Sequence, residues 1–105
     1  MLSFLFHFLL QKPRCAQAIR EEVDEICGGE PVEFAHLQKL KYIDAALKET
    51  LRLKSTAPAF TVSSLAETDV LAGEYEVQKG TPILVILDAL HRDPNVWGED
   101  AEDFK

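Results

Sequence analysis

The sequence predicts an α+β fold, mainly helical, with a small antiparallel or mixed sheet in its second half. Three observations predict it. Apolar residues recur every three to four positions up to Leu53. β-Branched and aromatic residues crowd the stretch after Pro58. Glycine and proline fall mostly at the joints between these patterns, where they break helices and make turns.

The elements follow in order. Met1 to Leu10 is an apolar run with no basic residue before it and no small-residue cleavage site close behind, so it is not read as a signal peptide. With His7 inside it, the run is about half of what a membrane span requires. It reads as a core helix that begins late, as in a truncated chain. Pro13 suits the first turn of a second helix running to about Ile26. There Ala16, Ile19, Val23 and Ile26 form an apolar stripe, opposite a charged face of Arg20, Glu21, Glu22 and Glu25. Gly28-Gly29 stops it and Pro31 confirms the break. Val32 to Gln38 reads as a loop with one helical turn.

A third helix is predicted over Leu40 to Leu53, with Leu40, Ile43, Leu47 and Leu51 as its main apolar edge. After Pro58, a strand over 59–64 and a hairpin turning near Ala72-Gly73 are expected, followed by a turn at Gln78-Lys79-Gly80. The run Pro82 to Leu87 is uniformly apolar and should be covered on both faces. Ala89 to Arg92 reads as a helical turn, and Asp93-Pro94 starts another that ends at Trp97-Gly98. No packed terminal element is expected at Phe104-Lys105. So little chain around a strand that wants two covering layers suggests the interior of something larger.

Composition narrows the function. Eighteen acidic against eleven basic residues give a net charge of -7, which argues against a nucleic-acid partner. Glu99, Asp100, Glu102 and Asp103 read as a solvated run. Cys15 and Cys27 have no metal-ligand spacing, so neither a metal site nor a disulfide scaffold is expected, and each is read as a small buried or half-buried thiol. His7 and His36 read as structural or surface residues, and His91 as a packing residue at a helix start. No phosphate cradle, nucleophile elbow or other catalytic constellation stands out.

Glu49 and Arg52 stand three apart on the third helix, so their side chains can meet. On spacing alone this is a surface ion pair worth less than about 1 kcal/mol. The apolar residues nearby admit a second reading, in which the planar fork of a buried Arg52 clamps Glu49 and a backbone carbonyl.

The stretch Tyr42 to Leu53, with its Glu-x-x-Arg, resembles the K helix of the cytochrome P450 superfamily. The resemblance continues through Thr56-Ala57-Pro58-Ala59-Phe60, Gly73-Glu74-Tyr75, Lys79-Gly80, Leu90-His91-Arg92-Asp93 and Val96-Trp97-Gly98. In that order the series is similar to fatty-acid hydroxylases fused to a diflavin NADPH reductase. It implies a partial cytochrome P450 fold: a helical part over 1–58 containing the end of the I helix and the J and K helices, a small sheet region over 59–87, and the K-prime region over 88–105. No complete domain is expected.

The same resemblance implies that Glu49 and Arg52, with a further arginine beyond Lys105, fix the haem-binding core. It places Ala57, Pro58 and Ala59 beside the substrate channel. The parent would be a haem-dependent monooxygenase acting on a fatty acid with O2 and NADPH-derived electrons. Its reductase, fused or separate, would carry FAD and FMN, and its setting would be cytoplasmic or peripheral to a membrane. Two departures matter. Ser55 stands where the family often has proline, which loosens the helix exit. The glycine-rich loop bearing the iron-ligating cysteine is absent, and Cys15 and Cys27 are in the wrong context to replace it. The piece itself is therefore expected to be inactive and poorly folded in isolation, with strand 82–87 exposing an aggregation-prone edge. The alternatives are a catalytically silent α+β fragment with at most a binding role, or a parent that oxidises an alkane, alcohol or aromatic compound.

Overall fold

The computed structural model describes all residues, 1–105. Its first half is helical: α1 (Leu2–Gln11), α2 (Pro13–Cys27), the single turn α3 (Phe34–Leu37) and α4 (Lys41–Leu53). Pro13 opens α2 as its chemistry predicts. Gly28 closes it in the left-handed region at φ 59°, donating its N–H to Asp24 O. His36 serves α3 locally: its Nδ1 accepts the Glu33 N–H in a capping box.

The second half holds β1 (Ala59–Ser63), β2 (Thr68–Leu71), β3 (Tyr75–Gln78) and β4 (Pro82–Ile86), then the short helices α5 (Leu87–Leu90) and α6 (Pro94–Trp97). The strands form two separate antiparallel pairs. β1 pairs with β4, Thr61 facing Leu84, and β2 pairs with β3 across the expected turn. Ala72 and Gly73 both take positive φ there, at 53° and 75°, which matches the twist of a tight hairpin. α5 begins two residues earlier than the pattern suggests, because the Leu87 and Asp88 N–H groups both donate to Pro58 O and turn the chain straight off β4.

The core lies where α1, α2 and α4 meet. Leu5, Ala46, Leu53 and Phe104 form its buried centre, with Phe8, Leu9, Cys15, Ile19 and Leu47 packed around it. Within α4 the deepest stripe is thus Ala46, Thr50 and Leu53; of the predicted edge, Leu40 is buried, while Ile43, Leu47 and Leu51 are half-buried. Thr50 tolerates this position because its Oγ1 donates to Ala46 O at 2.8 Å.

Glu22, on the charged face of α2, reaches across with its carboxylate to the start of α4. The structure corrects two further expectations. The chain's last residues do pack: Phe104 is buried and stacks on Phe8 with ring centroids 4.9 Å apart. The run Pro82 to Leu87 is not covered on both faces. Leu84 is 62% and Ile86 52% exposed, and Phe60 and Val62 on β1 are exposed as well. With a radius of gyration of 19.1 Å, where a compact chain of this length would have about 13 Å, these residues do not surround a single closed core.

Candidate functional site

The Glu49–Arg52 pair is buried, so the clamp reading holds and the surface reading does not. Arg52 lies in the last turn of α4, and its side chain is 4% exposed against 13% for Glu49. Two parallel hydrogen bonds join them: Arg52 Nε donates to Glu49 Oε2 at 2.8 Å and Nη2 to Oε1 at 2.7 Å. The remaining donors all go to backbone carbonyls far along the chain. Nη1 donates to His91 O at 2.9 Å and to Ala101 O, and Nη2 donates to Asp103 O at 2.8 Å. A guanidinium has five N–H donors in a fixed plane, and here every one is used.

Neighbouring groups complete the cluster. The Trp97 ring centroid lies 5.1 Å from Arg52 Cζ, a cation–π contact, and the His91 ring meets Trp97 edge-on. Lys105 N donates to Glu49 Oε1 at 3.1 Å. Burial pushes the Glu49 carboxyl up. The hydrogen bonds from Arg52 and the Lys105 backbone, with the charges of both residues, outweigh that and hold it below its usual value. The hydrogen bond to Glu49 likewise raises Arg52. A permanently charged Arg52 with no free donor is neither an acid nor a base. The arrangement is a joint that fastens residues 91–105 to α4.

The four acidic residues of the late run are exposed, as expected, while the backbone among them joins the cluster. Ala101 and Asp103 supply carbonyls to Arg52, Glu102 lies 3.1 Å from Arg92 Nε, and Asp100 pairs with the Lys105 amine. His91 contributes its backbone oxygen to the cluster while its ring Nδ1 stays buried without a partner. Sequence patterns locate Glu49 and Arg52 by their spacing. They carry no signal for the carbonyl partners, because any residue has a carbonyl and only the fold aims it.

Ala57, Pro58 and Ala59 lie apart from the joint, where the chain leaves α4 for β1; Ala57 and Pro58 are exposed and Ala59 half-buried. At this exit Ser55 bonds locally: its Oγ donates to Ala57 O at 2.8 Å and accepts Ala57 N–H at 3.3 Å.

No group of three or more His, Cys, Asp or Glu side chains is placed to hold a metal ion. Cys27 is buried at the end of α2. Cys15 is half-buried and lines a cavity of about 240 Å³ with Tyr42, Ala45, Ala46 and Phe104, where its thiol holds the Tyr42 phenol above its ordinary value. Cys27 borders none of the cavities and Cys15 only this small one, so the donors in these residues do not fit haem-iron ligation.

Comparison with known proteins adds the family. The family profile described as Cytochrome P450 matches residues 1–105. A self-sufficient cytochrome P450 monooxygenase of Exserohilum turcicum is 49% identical over 105 residues, all of this chain and 10% of the relative. A bifunctional cytochrome P450/NADPH–P450 reductase of Bacillus subtilis is 46% identical, again over all of this chain and 10% of the relative. One from Gibberella moniliformis is 38% identical over the whole chain and 9% of its own length. The chain thus spans about a tenth of the length of these relatives. With its profile matched from end to end and its buried Glu-x-x-Arg joint in place, the chain belongs to the cytochrome P450 family.

Proposed function

We propose that these residues are the structural segment of a haem-dependent monooxygenase that hydroxylates fatty acids, and that the 105-residue chain alone is inactive. The buried Glu49–Arg52 joint carries the reading. It spends two charged residues on tying a helix to a distant loop, as a core that must keep one exact geometry requires. The names of the relatives, which join a cytochrome P450 to an NADPH–P450 reductase, support an electron supply from NADPH through FAD and FMN in a fused or separate reductase.

In this reading α1 is the end of the I helix, α2 the J helix, α4 the K helix, and residues 88–105 the K-prime region. Ala57, Pro58 and Ala59 border the substrate channel, where small side chains leave room for an acyl chain. Haem, when bound by the parent, supplies the oxygen chemistry. The residues described here would hold the scaffold of the domain that binds it. The parent works in the cytoplasm, with or without peripheral contact to a membrane. No helix in these residues is long and apolar enough to cross one.

Two proteins test the reading: the 105-residue chain, and a chimera in which it replaces the matching segment of the Bacillus subtilis relative. Each is mixed with haem, reduced and exposed to CO. The chimera is expected to show a thiolate-type Soret band and to hydroxylate a fatty acid using NADPH, while the short chain shows no such band. A thiolate-type band from the short chain would overturn its inactivity, and a chimera unable to keep haem would overturn the assignment of the segment.

A further inference from the structure

Helix α4, which carries the joint, is gripped at both ends by charged side chains from remote parts of the chain. At its start Leu40 provides no side-chain cap. Glu22 of α2 provides it instead. Its Oε1 accepts the Tyr42 N–H at 2.7 Å and its Oε2 the Ile43 N–H at 3.0 Å, two of the amides that the helix itself leaves without partners. At the other end Arg92 Nη2 donates to Leu53 O at 2.6 Å, one of the orphan carbonyls of the last turn. Asp88 holds the same guanidinium through Nη1 at 2.6 Å, and Glu102 lies 3.1 Å from its Nε. The signs match the helix dipole, an anion at the amino end and a cation at the carboxyl end.

We propose that Glu22 and Arg92 are positioning residues for the Glu49–Arg52 joint: together they fix the height and rotation of α4, so that three of the five donors of Arg52 meet carbonyls that α4 does not itself carry. The tolerance is small. Sliding a helix by one residue moves it about 1.5 Å along its axis, which would break contacts that now stand at 2.8 and 2.9 Å. Glu22 lies on α2 and shares no hydrogen bond or ion pair with Glu49 or Arg52. Any effect it has on them must pass through the body of α4. The inference rests on these contacts and not on the oxygenase reading.

The test uses Glu22→Gln, which keeps the size but turns an amide nitrogen toward a backbone donor, and Arg92→Lys, which keeps the charge but loses the fork. Amide exchange is followed by mass spectrometry in the chimera and by NMR in the 105-residue chain, together with the Arg52 Nε–H resonance. Glu22→Gln is expected to speed exchange at Tyr42 and Ile43 about tenfold, or about 1.4 kcal/mol. It should also shift the Arg52 Nε–H signal and quicken exchange over residues 98–105. Arg92→Lys should shift the same signal, and the double variant should change it by less than the two effects combined, because both act on one rigid helix.

If Glu22→Gln altered only Tyr42 and Ile43, with the Arg52 signal unmoved, Glu22 would be a local cap and the proposal would fail. It would fail equally if those two amides exchanged at unstructured rates in both unsubstituted proteins. Haem retention reports separately on the oxygenase reading: a haem-free chimera with Tyr42 and Ile43 protected would sink that reading and leave the clamp standing.

Discussion

Replacing Arg52 by lysine separates a structural joint from an ordinary ion pair. Lysine keeps the charge but offers three donors from one nitrogen instead of five in a fixed plane. If two of these keep both Glu49 oxygens, one is left for the three carbonyls contributed by His91, Ala101 and Asp103. Two carbonyls then lose their partner, and Ala101 is only 2% exposed. Each buried polar group left unpaired costs about 1–3 kcal/mol, and breaking a buried pair outright costs about 3–5 kcal/mol. A loss of about 3 kcal/mol is therefore expected, borne by the segment 98–105, which Arg52 holds to α4. In amide exchange that is a rise of roughly 100-fold over this segment, measured in both the chimera and the short chain. Lys48→Ala is the control, since Lys48 pairs with Asp44 on the same helix with side chains 75% and 58% exposed. It should change exchange by less than about threefold, as a surface pair does. An Arg52→Lys effect no larger than that of Lys48→Ala would refute the joint.

The lowered carboxyl of Glu49 gives a second expectation. Its pKa is lower folded than unfolded, so the folded state binds fewer protons. Its stabilisation is fully present above the ordinary glutamate value of about 4.3 and is lost as pH falls through the lowered one. Urea midpoints of the chimera should be nearly flat from about pH 7 to 5 and fall below about pH 4. Glu49→Gln should lower the midpoint at neutral pH and flatten the acid fall; an unchanged acid fall would refute the assignment. The sheet region gives a third. In the short chain residues 59–86 should exchange quickly while α1, α2 and α4 keep the slow amides, because Leu84 and Ile86 stand open. Leu84→Lys with Ile86→Lys should reduce aggregation in light scattering. Slow exchange throughout would show that these strands are covered after all.

Local chemistry in the sequence determined the elements of this protein. Pro13 and Gly28 set the ends of α2, Ala72 and Gly73 set the hairpin, and the spacing of Glu49 and Arg52 brought the pair within reach, because each depends on neighbours in the chain. Only the tertiary structure decided what those elements face. Periodicity gives the phase of a helix but not the identity of its cover, so the buried stripe of α4 fell on Ala46, Thr50 and Leu53. For the same reason the apolar run of β4 could suggest two covering layers that these residues do not supply. The partners of Arg52 lie 39 to 51 residues away and are backbone oxygens. Glu22 reaches the start of α4 across 20 residues. Such contacts are directional and long-range, and a linear pattern records neither direction nor distance in space.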